Sequence, residues 1–258
     1  MLLMIGNADD VVISTQDSGY VTGRSVRGVP AAPEAASERG TVEDTAEGVT
    51  ERGGLGISVQ VDHTVDAQVE ALFARVHQEQ GHLHLLVNNA WGGYEDLGTI
   101  GLREPFWAQP MARWDRMFTA GVRSHLLSTR FALPLLEAAG EALIVNTTTA
   151  PNDLYKPQWG SRSFYHLAKT TKNEMVEAMA VDFRDHGKPL TVVGLSPDCM
   201  LVDRTELTPE EAVGAQSTRD MGRAVAALAA DPNVRRKSGQ VLMVGAVARE
   251  YGFSDLYR

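Results

Sequence analysis

Tyr165 and Lys169 stand four residues apart at the start of a predicted helix, so both side chains fall on one face. A free phenol has a pKa near ~10, and an ammonium beside it favours the phenolate. A tyrosine tuned in this way can pass a proton to or from a carbonyl oxygen while hydride moves at the carbon. With 5 lysines against 19 arginines in 258 residues, a lysine at this place carries more weight than in a lysine-rich chain. The competing reading is a core tyrosine and a solvated lysine that happen to share a spacing. The polar cluster Asn146–Thr149 just upstream favours the chemical one, because it sits at the end of a predicted strand.

The elements that must position this pair follow from the hydrophobic pattern. The first secure strand is Gly19–Gly23, followed by a polar loop from Ser25 to Gly40. Thr41 opens a helix to about Arg52, stopped by Gly53-Gly54, and Ile57–Val61 reads as a strand before the turn Asp62-His63-Thr64. Val65 to Gln80 carries Val69, Leu72, Phe73 and Val76 at helical spacing. Leu85-Leu86-Val87 is a buried strand ending in Asn88-Asn89-Ala90. The pattern then predicts a helix over Trp114–Ala139, a strand over Ala142–Asn146, a helix over Phe164–His186 and a strand over Leu190–Leu195. A helix entering at Thr208-Pro209 and running to Ala230, and a last strand over Val241–Gly245, complete the chain. Short apolar strands alternating with longer helices imply one doubly wound α/β domain over residues 1–258, its parallel sheet covered on both faces.

Composition narrows the function. A formal charge of −9, from 24 Lys+Arg against 33 Asp+Glu, argues against nucleic acid as a partner. The single cysteine, Cys199, excludes an internal disulfide framework, and no targeting or membrane-spanning segment is visible, so a cytoplasmic location is expected. His82 and His84 alternate at a strand entry, but no third ligand is suggested nearby and no metal is expected.

The Tyr165–Lys169 pair and the Asn88-Asn89-Ala90 turn resemble those of the short-chain dehydrogenase/reductase family. Asn88–Tyr94, Pro105-Phe106-Trp107 and Arg249–Phe253 look closest to its branch of dehydrogenase/reductase family member 1. The resemblance runs from about Val21 to the C-terminus. It implies a Rossmann-like sheet, a nicotinamide cofactor and no metal, with Tyr165 as acid/base and Lys169 tuning it and holding the nicotinamide ribose. It places Asp62 near the adenine, Asn88 near its ribose, and Ala90 and Pro197 along the cofactor. By resemblance, the two long helices also form a homo-oligomer, a dimer or tetramer. The family's catalytic serine corresponds to a threonine, with Thr149 the best match among Thr147-Thr148-Thr149; each of the three reads as well as a plain strand-ending residue.

The chain departs from the family at its start. The glycine-rich turn that lets a diphosphate approach a helix N-terminus is absent, since Gly6 and Gly19 are the only glycines before Tyr20. The first βα unit is therefore expected to be lacking or replaced, residues 1–19 forming an atypical segment. Met1–Ile5 or Val11–Ser14 could pair as the substitute strand, and without one the sheet would be of low stability. Three readings of the gap stay open: a misassigned start, a rebuilt site, or loss of the cofactor. The helix asparagine that many members use corresponds to Gly121, with Ser124 or His125 as nearby polar groups, and the usual Pro-Gly is Pro197-Asp198.

Arg24 follows the second strand directly and Ser25 adds a hydroxyl, with no acid from Val21 to Val26, which favours NADP over NAD. Trp91, Tyr94, Phe106, Trp107, Tyr155 and Trp159 fall in loops after two strands, a placement that suits an apolar pocket for a carbonyl or alcohol, with no more than half expected to touch it. The reading that results is an NADP-dependent oxidoreductase for a carbonyl/alcohol pair of a small molecule, the pocket suiting a bulky one. The alternative is a non-catalytic or non-redox relative that has lost the dinucleotide and serves as a binding or heteromer subunit.

Overall fold

In the strand Ala142–Thr147, successive side chains go to opposite sides of the sheet, and both sides are apolar. Ile144 packs with Leu86 and Val192 on one face, while Leu143 and Val145 pack with Leu85, Val87, Val193 and Leu195 on the other. A strand buried on both faces needs helices over each, and the chain supplies them. The computed structural model describes residues 2–5, 18–23, 41–94, 100–151, 162–197 and 218–253.

The strands are β1 (Leu2–Ile5), β2 (Ser18–Gly23), β3 (Leu55–Gln60), β4 (Leu85–Asn88), β5 (Ala142–Thr147), β6 (Leu190–Ser196) and β7 (Val241–Met243). They form one parallel sheet in the order β3-β2-β1-β4-β5-β6-β7. The helices are α1 (Val42–Glu51), α2 (Asp66–Gln80), α3 (Met111–Phe118), α4 (Ser124–Ala138), α5 (Ser163–Asp185), α6 (Thr218–Ala230) and α7 (Val244–Tyr251). This is the doubly wound Rossmann-like domain that the alternation predicts. The strand order reverses at β1, between β2 and β4, and in such sheets ligands bind outside the carboxyl ends at that point.

Local chemistry explains the boundaries. Thr41 closes a capping box on α1: its hydroxyl accepts from the Asp44 amide at 3.2 Å, and Asp44 accepts from the Thr41 amide at 2.7 Å. Helix α2 buries Val69, Leu72, Phe73 and Val76, and stops at Gly81, whose φ of 73° suits glycine. The Cα of Gly56 in β3 lies against α1 so closely that a Cβ would come 1.9 Å from the Ala46 carbonyl oxygen.

One expectation holds and two are corrected. Of the two candidate substitute strands, the first supplies the centre of the sheet: Leu2–Ile5 pairs in register with Gly19–Thr22 on one side and Leu85–Asn88 on the other. The low stability expected of unpaired neighbours therefore loses its basis; the other candidate strand, Val11–Ser14, lies outside the described residues. The last strand ends at Met243 instead of Gly245, because Val244 and Val247 turn inward at helical spacing to join the core beside α6. The helix predicted from Trp114 begins at Met111, and a π-helical turn, Thr119–Arg123, separates α3 from α4. The entry at Thr208-Pro209 lies outside the described residues, as does the loop from Ser25 to Gly40.

Gly56→Ala is expected to cost about 1–3 kcal/mol, since the obstructing atom is backbone and α1 must shift to admit a methyl. A thermal melt equal to the parent's would show that α1 gives way freely.

Candidate active site

The strands β4, β5 and β6 end side by side, and their last residues are polar: Asn88, Asn146-Thr147 and Ser196. All are buried, so each must be tied inside the protein. The Asn88 amide donates to Asn146 Oδ1 at 2.8 Å and to Thr129 Oγ1 at 3.1 Å, bracing β4 to β5 and to α4. Asn88 thus has its side chain turned into the sheet.

The three threonines separate cleanly. Thr147 donates to the Asn88 carbonyl at 3.4 Å. Thr148 Oγ1 lies 3.1 Å from the Lys169 carbonyl and 2.5 Å from Asn173 Oδ1, tying the strand end to α5. Thr149 uses only its backbone carbonyl, which accepts from Asn173 at 3.3 Å, and its hydroxyl has no partner among the described residues.

Helix α5 begins at Ser163, and Tyr165 and Lys169 share a face in its first turns. Lys169 Nζ lies 5.6 Å from the Tyr165 ring centroid and 4.1 Å from that of Trp91. Burial without a carboxylate lowers the Lys169 ammonium to about 8. Tyr165 meets Trp91 edge-on at 5.5 Å between centroids. One helical step inward, Lys172 is fully buried, and its Nζ sits 3.3 Å from His125 Nε2. That same nitrogen faces the Ala90 carbonyl at 3.0 Å, so it either donates to Ala90 or accepts from Lys172. Burial first, then repulsion from Lys172, pushes His125 well below the ordinary histidine range; burial and Lys169 do the same to Lys172.

Of the other expected site residues, Ala90 gives its carbonyl to His125, and Pro197 follows β6 with its carbonyl accepting from Ser196 Oγ at 3.0 Å. Asp62 builds the turn after β3, accepting from the Thr64 amide at 2.9 Å and hydroxyl at 2.6 Å. Arg24 and Ser25 lie outside the described residues, as do Tyr155 and Trp159. Trp91 and Tyr94 pack with Met117, Phe164 and Ala168 against the pair, whereas Phe106 and Trp107 are exposed. Ser124 donates to Ala120 on its own helix. The loop before α3 is held by Arg113, fully buried, which donates to the Ile100 carbonyl at 2.6 Å and the Gly101 carbonyl at 3.1 Å.

Sequence reasoning missed Lys172 and His63. The signal for Lys172 was present, since it lies three residues beyond Lys169 on the same helical face. His63 had none, because only the packing of the β3–α2 turn buries it.

A nicotinamide riboside fits what is present at this end. The Lys169 ammonium has no hydrogen-bond acceptor among the described residues, and the Thr149 hydroxyl has no partner there. The first suits a ribose diol and the second a reacting carbonyl or alcohol oxygen. Residues 6–17, between β1 and β2, lie outside the described residues; their sequence holds one glycine, Gly6, and three aspartates, Asp9, Asp10 and Asp17.

His63 contributes to acid sensitivity. It is buried, contacts Thr22 Oγ1 at 2.9 Å, and burial pulls its pKa from 6.5 to about 4. The unfolded chain therefore takes up the proton first, and stability present above pH 6.5 is lost as pH falls towards 4. Going from pH 8 to pH 5 should cost roughly 2 kcal/mol from this residue, read as a shift in urea midpoint that His63→Gln removes. An unchanged slope in the variant would count against it.

The chain also has recognisable relatives. The profile of the short chain dehydrogenase family matches residues 32–212. The chain is similar to dehydrogenase/reductase SDR family member 1 of Mus musculus, 31% identical over 232 residues that span 84% of this chain and 72% of that protein. In structure it is similar to a 7α-hydroxysteroid dehydrogenase complexed with NADH and 7-oxo glycochenodeoxycholic acid, with a TM-score of 0.72 and 22% identity over 94% of this chain and 91% of that one. It is also similar to an NADPH-bound carbonyl reductase from chicken fatty liver, with a TM-score of 0.67 and 20% identity over 88% of this chain and 85% of that one. At these identities the structural likenesses speak for the fold alone.

Proposed function

The chain belongs to the short-chain dehydrogenase family of oxidoreductases, and from that premise we propose that it interconverts a small-molecule carbonyl and its alcohol with an NAD(P) cofactor. The observation that carries the reading is the Thr149 hydroxyl, without a partner among the described residues, just past the strand end where Tyr165 and Lys169 share a helix face. The sequence relatives named as dehydrogenases support it over a non-catalytic role.

In this reading Tyr165 gives its phenolic proton to the carbonyl oxygen during reduction and takes it back during oxidation. Thr149 donates a hydrogen bond to the same oxygen, fixing its position and stabilising the charge that develops on it. Lys169 favours the phenolate by its charge and holds the ribose of the cofactor. A bound nicotinamide supplies or accepts the hydride at the carbonyl carbon. We assign cofactor contacts to Arg24, Ser25, Asp62, Ala90, Lys169 and Pro197, with Asn88 acting through the strand end that it braces. Arg24, with no acid near it in sequence, selects NADP over NAD. The aromatic wall of Trp91 and Tyr94 suits a hydrophobic carbonyl compound, and one relative, 28% identical over 63% of this chain, is named a 7α-hydroxysteroid dehydrogenase. The long helices α4 and α5 are proposed to form the contact of a homo-oligomer.

Tyr165→Phe should lower kcat/KM by about 10²–10⁴-fold with folding intact, and Thr149→Val by about 10²-fold. Activity retained in full by the tyrosine variant would sink the assignment. Because Lys169 holds its charge only below about 8, carbonyl reduction should fall as pH rises through that value, the neutral amine no longer supporting the phenolate. Fluorescence titration should give tighter binding of NADPH than of NADH; absence of binding to either would remove the redox reading.

A further inference from the structure

Two ammonium groups lie over one indole. Lys169 Nζ stands 4.1 Å and Lys172 Nζ 5.5 Å from the Trp91 ring centroid, and both lysines are buried. The groups facing Lys169 are Tyr165 and Lys172 on its own helix, His125 on α4 and Trp91 on the loop after β4. None of them is a carboxylate, and neither lysine has a carboxylate partner among the described residues. A desolvated ammonium normally neutralises or finds a counter-charge. Here the electron-rich face of an indole stands where that counter-charge would be, and such contacts strengthen when water is excluded.

The indole is itself held in one place. Its six-membered ring rests on the Cα of Gly121, where a Cβ would come 2.5 Å from both Cε3 and Cζ3. Its other neighbour is Tyr165, met edge-on. One ring thus touches both members of the pair, and glycine at 121 is the socket that admits it.

We propose that Trp91 is a positioning residue whose indole face keeps the Lys169 ammonium charged and seated beside Tyr165, doing what a carboxylate would otherwise do. A carboxylate would also occupy the ammonium's donors; an indole leaves all three N–H groups free for a ligand. The catalytic consequence rests on the proposed acid/base role of Tyr165 and Lys169, whereas the contact itself does not.

The test places mono-, di- and trifluorotryptophan at position 91 alone, which drains the ring of electron density at nearly constant shape. With ¹³C-labelled lysine, the Cε resonance of Lys169, identified by its loss in Lys169→Met, is followed through a pH titration. Its midpoint should fall stepwise with each fluorine, by about one pH unit over the series. A midpoint that does not follow fluorination overturns the proposal. Gly121→Ala, which pushes the indole away without removing it, should lower the same midpoint, and Trp91→Phe should restore most of what Trp91→Leu loses. If Trp91 only fills space, Trp91→Leu admits water and the midpoint rises, which also overturns it. Turnover on the same samples separates the two readings. A fluorine trend without any NAD(P)-dependent turnover would remove the enzyme and leave the seat; turnover without a trend would do the reverse.

Discussion

The pairing of Leu2–Ile5 between β2 and β4 is the constraint on which the rest of the molecule depends. A parallel sheet has no hairpins to hold it, so its middle strand must be bonded along both edges or both neighbours are left with buried, unpaired backbone groups. Four residues meet that need here. They bring the carboxyl ends of β1 and β4 level, and β4 aligns β5 through Asn88 opposite Asn146. Asn88, Asn146 and Thr147 belong to that row of ends, and Thr148 just beyond it ties the row to α5, which carries Tyr165 and Lys169.

Above the row, the site is an enclave of positive and neutral groups inside an apolar shell. Lys169, Lys172, His125 and His63 are all buried, and burial moves each towards its uncharged form. The arrangement makes the protonation of the enclave sensitive to whatever enters it. A ligand with hydroxyls or negative charge would meet the donors of Lys169, which have no acceptor among the described residues. This agrees with membership of a family of oxidoreductases whose chemistry is a proton moved at one oxygen while hydride moves at the adjoining carbon. Trp91, Trp114, Phe118 and Phe164 form an aromatic shell that keeps the dielectric low around Tyr165.

Much of this was legible in the chain. The alternation of apolar strands and amphipathic helices predicts the fold, because in a sheet buried on both faces every strand must be apolar on both sides. The Thr41 capping box and the glycine stops mark helix ends by local chemistry. Tyr165 and Lys169 stand out by spacing, since a helix makes neighbours of residues four apart. The first strand was harder. Leu2–Ile5 is too short to carry a periodic signal, and no glycine-rich turn marks its carboxyl end. At the other end, Val244-Gly245 reads as strand by its apolar run, yet the need to bury Val244 and Val247 on one side turns it into helix.

What the sequence determined by itself is therefore whatever depends on near neighbours along the chain: the fold class, the helix ends marked by Thr41 and by glycine, and the shared face of Tyr165 and Lys169. Tertiary structure decided the rest. It distinguished three adjacent threonines by what each hydroxyl meets across the sheet, leaving only that of Thr149 unpartnered among the described residues. It turned Trp91 from a loop aromatic into the plate beneath two lysines, and Gly121 into the socket for that plate. These are contacts between residues 21 to 81 positions apart, set by packing in three dimensions, where spacing along the chain carries no information about who meets whom.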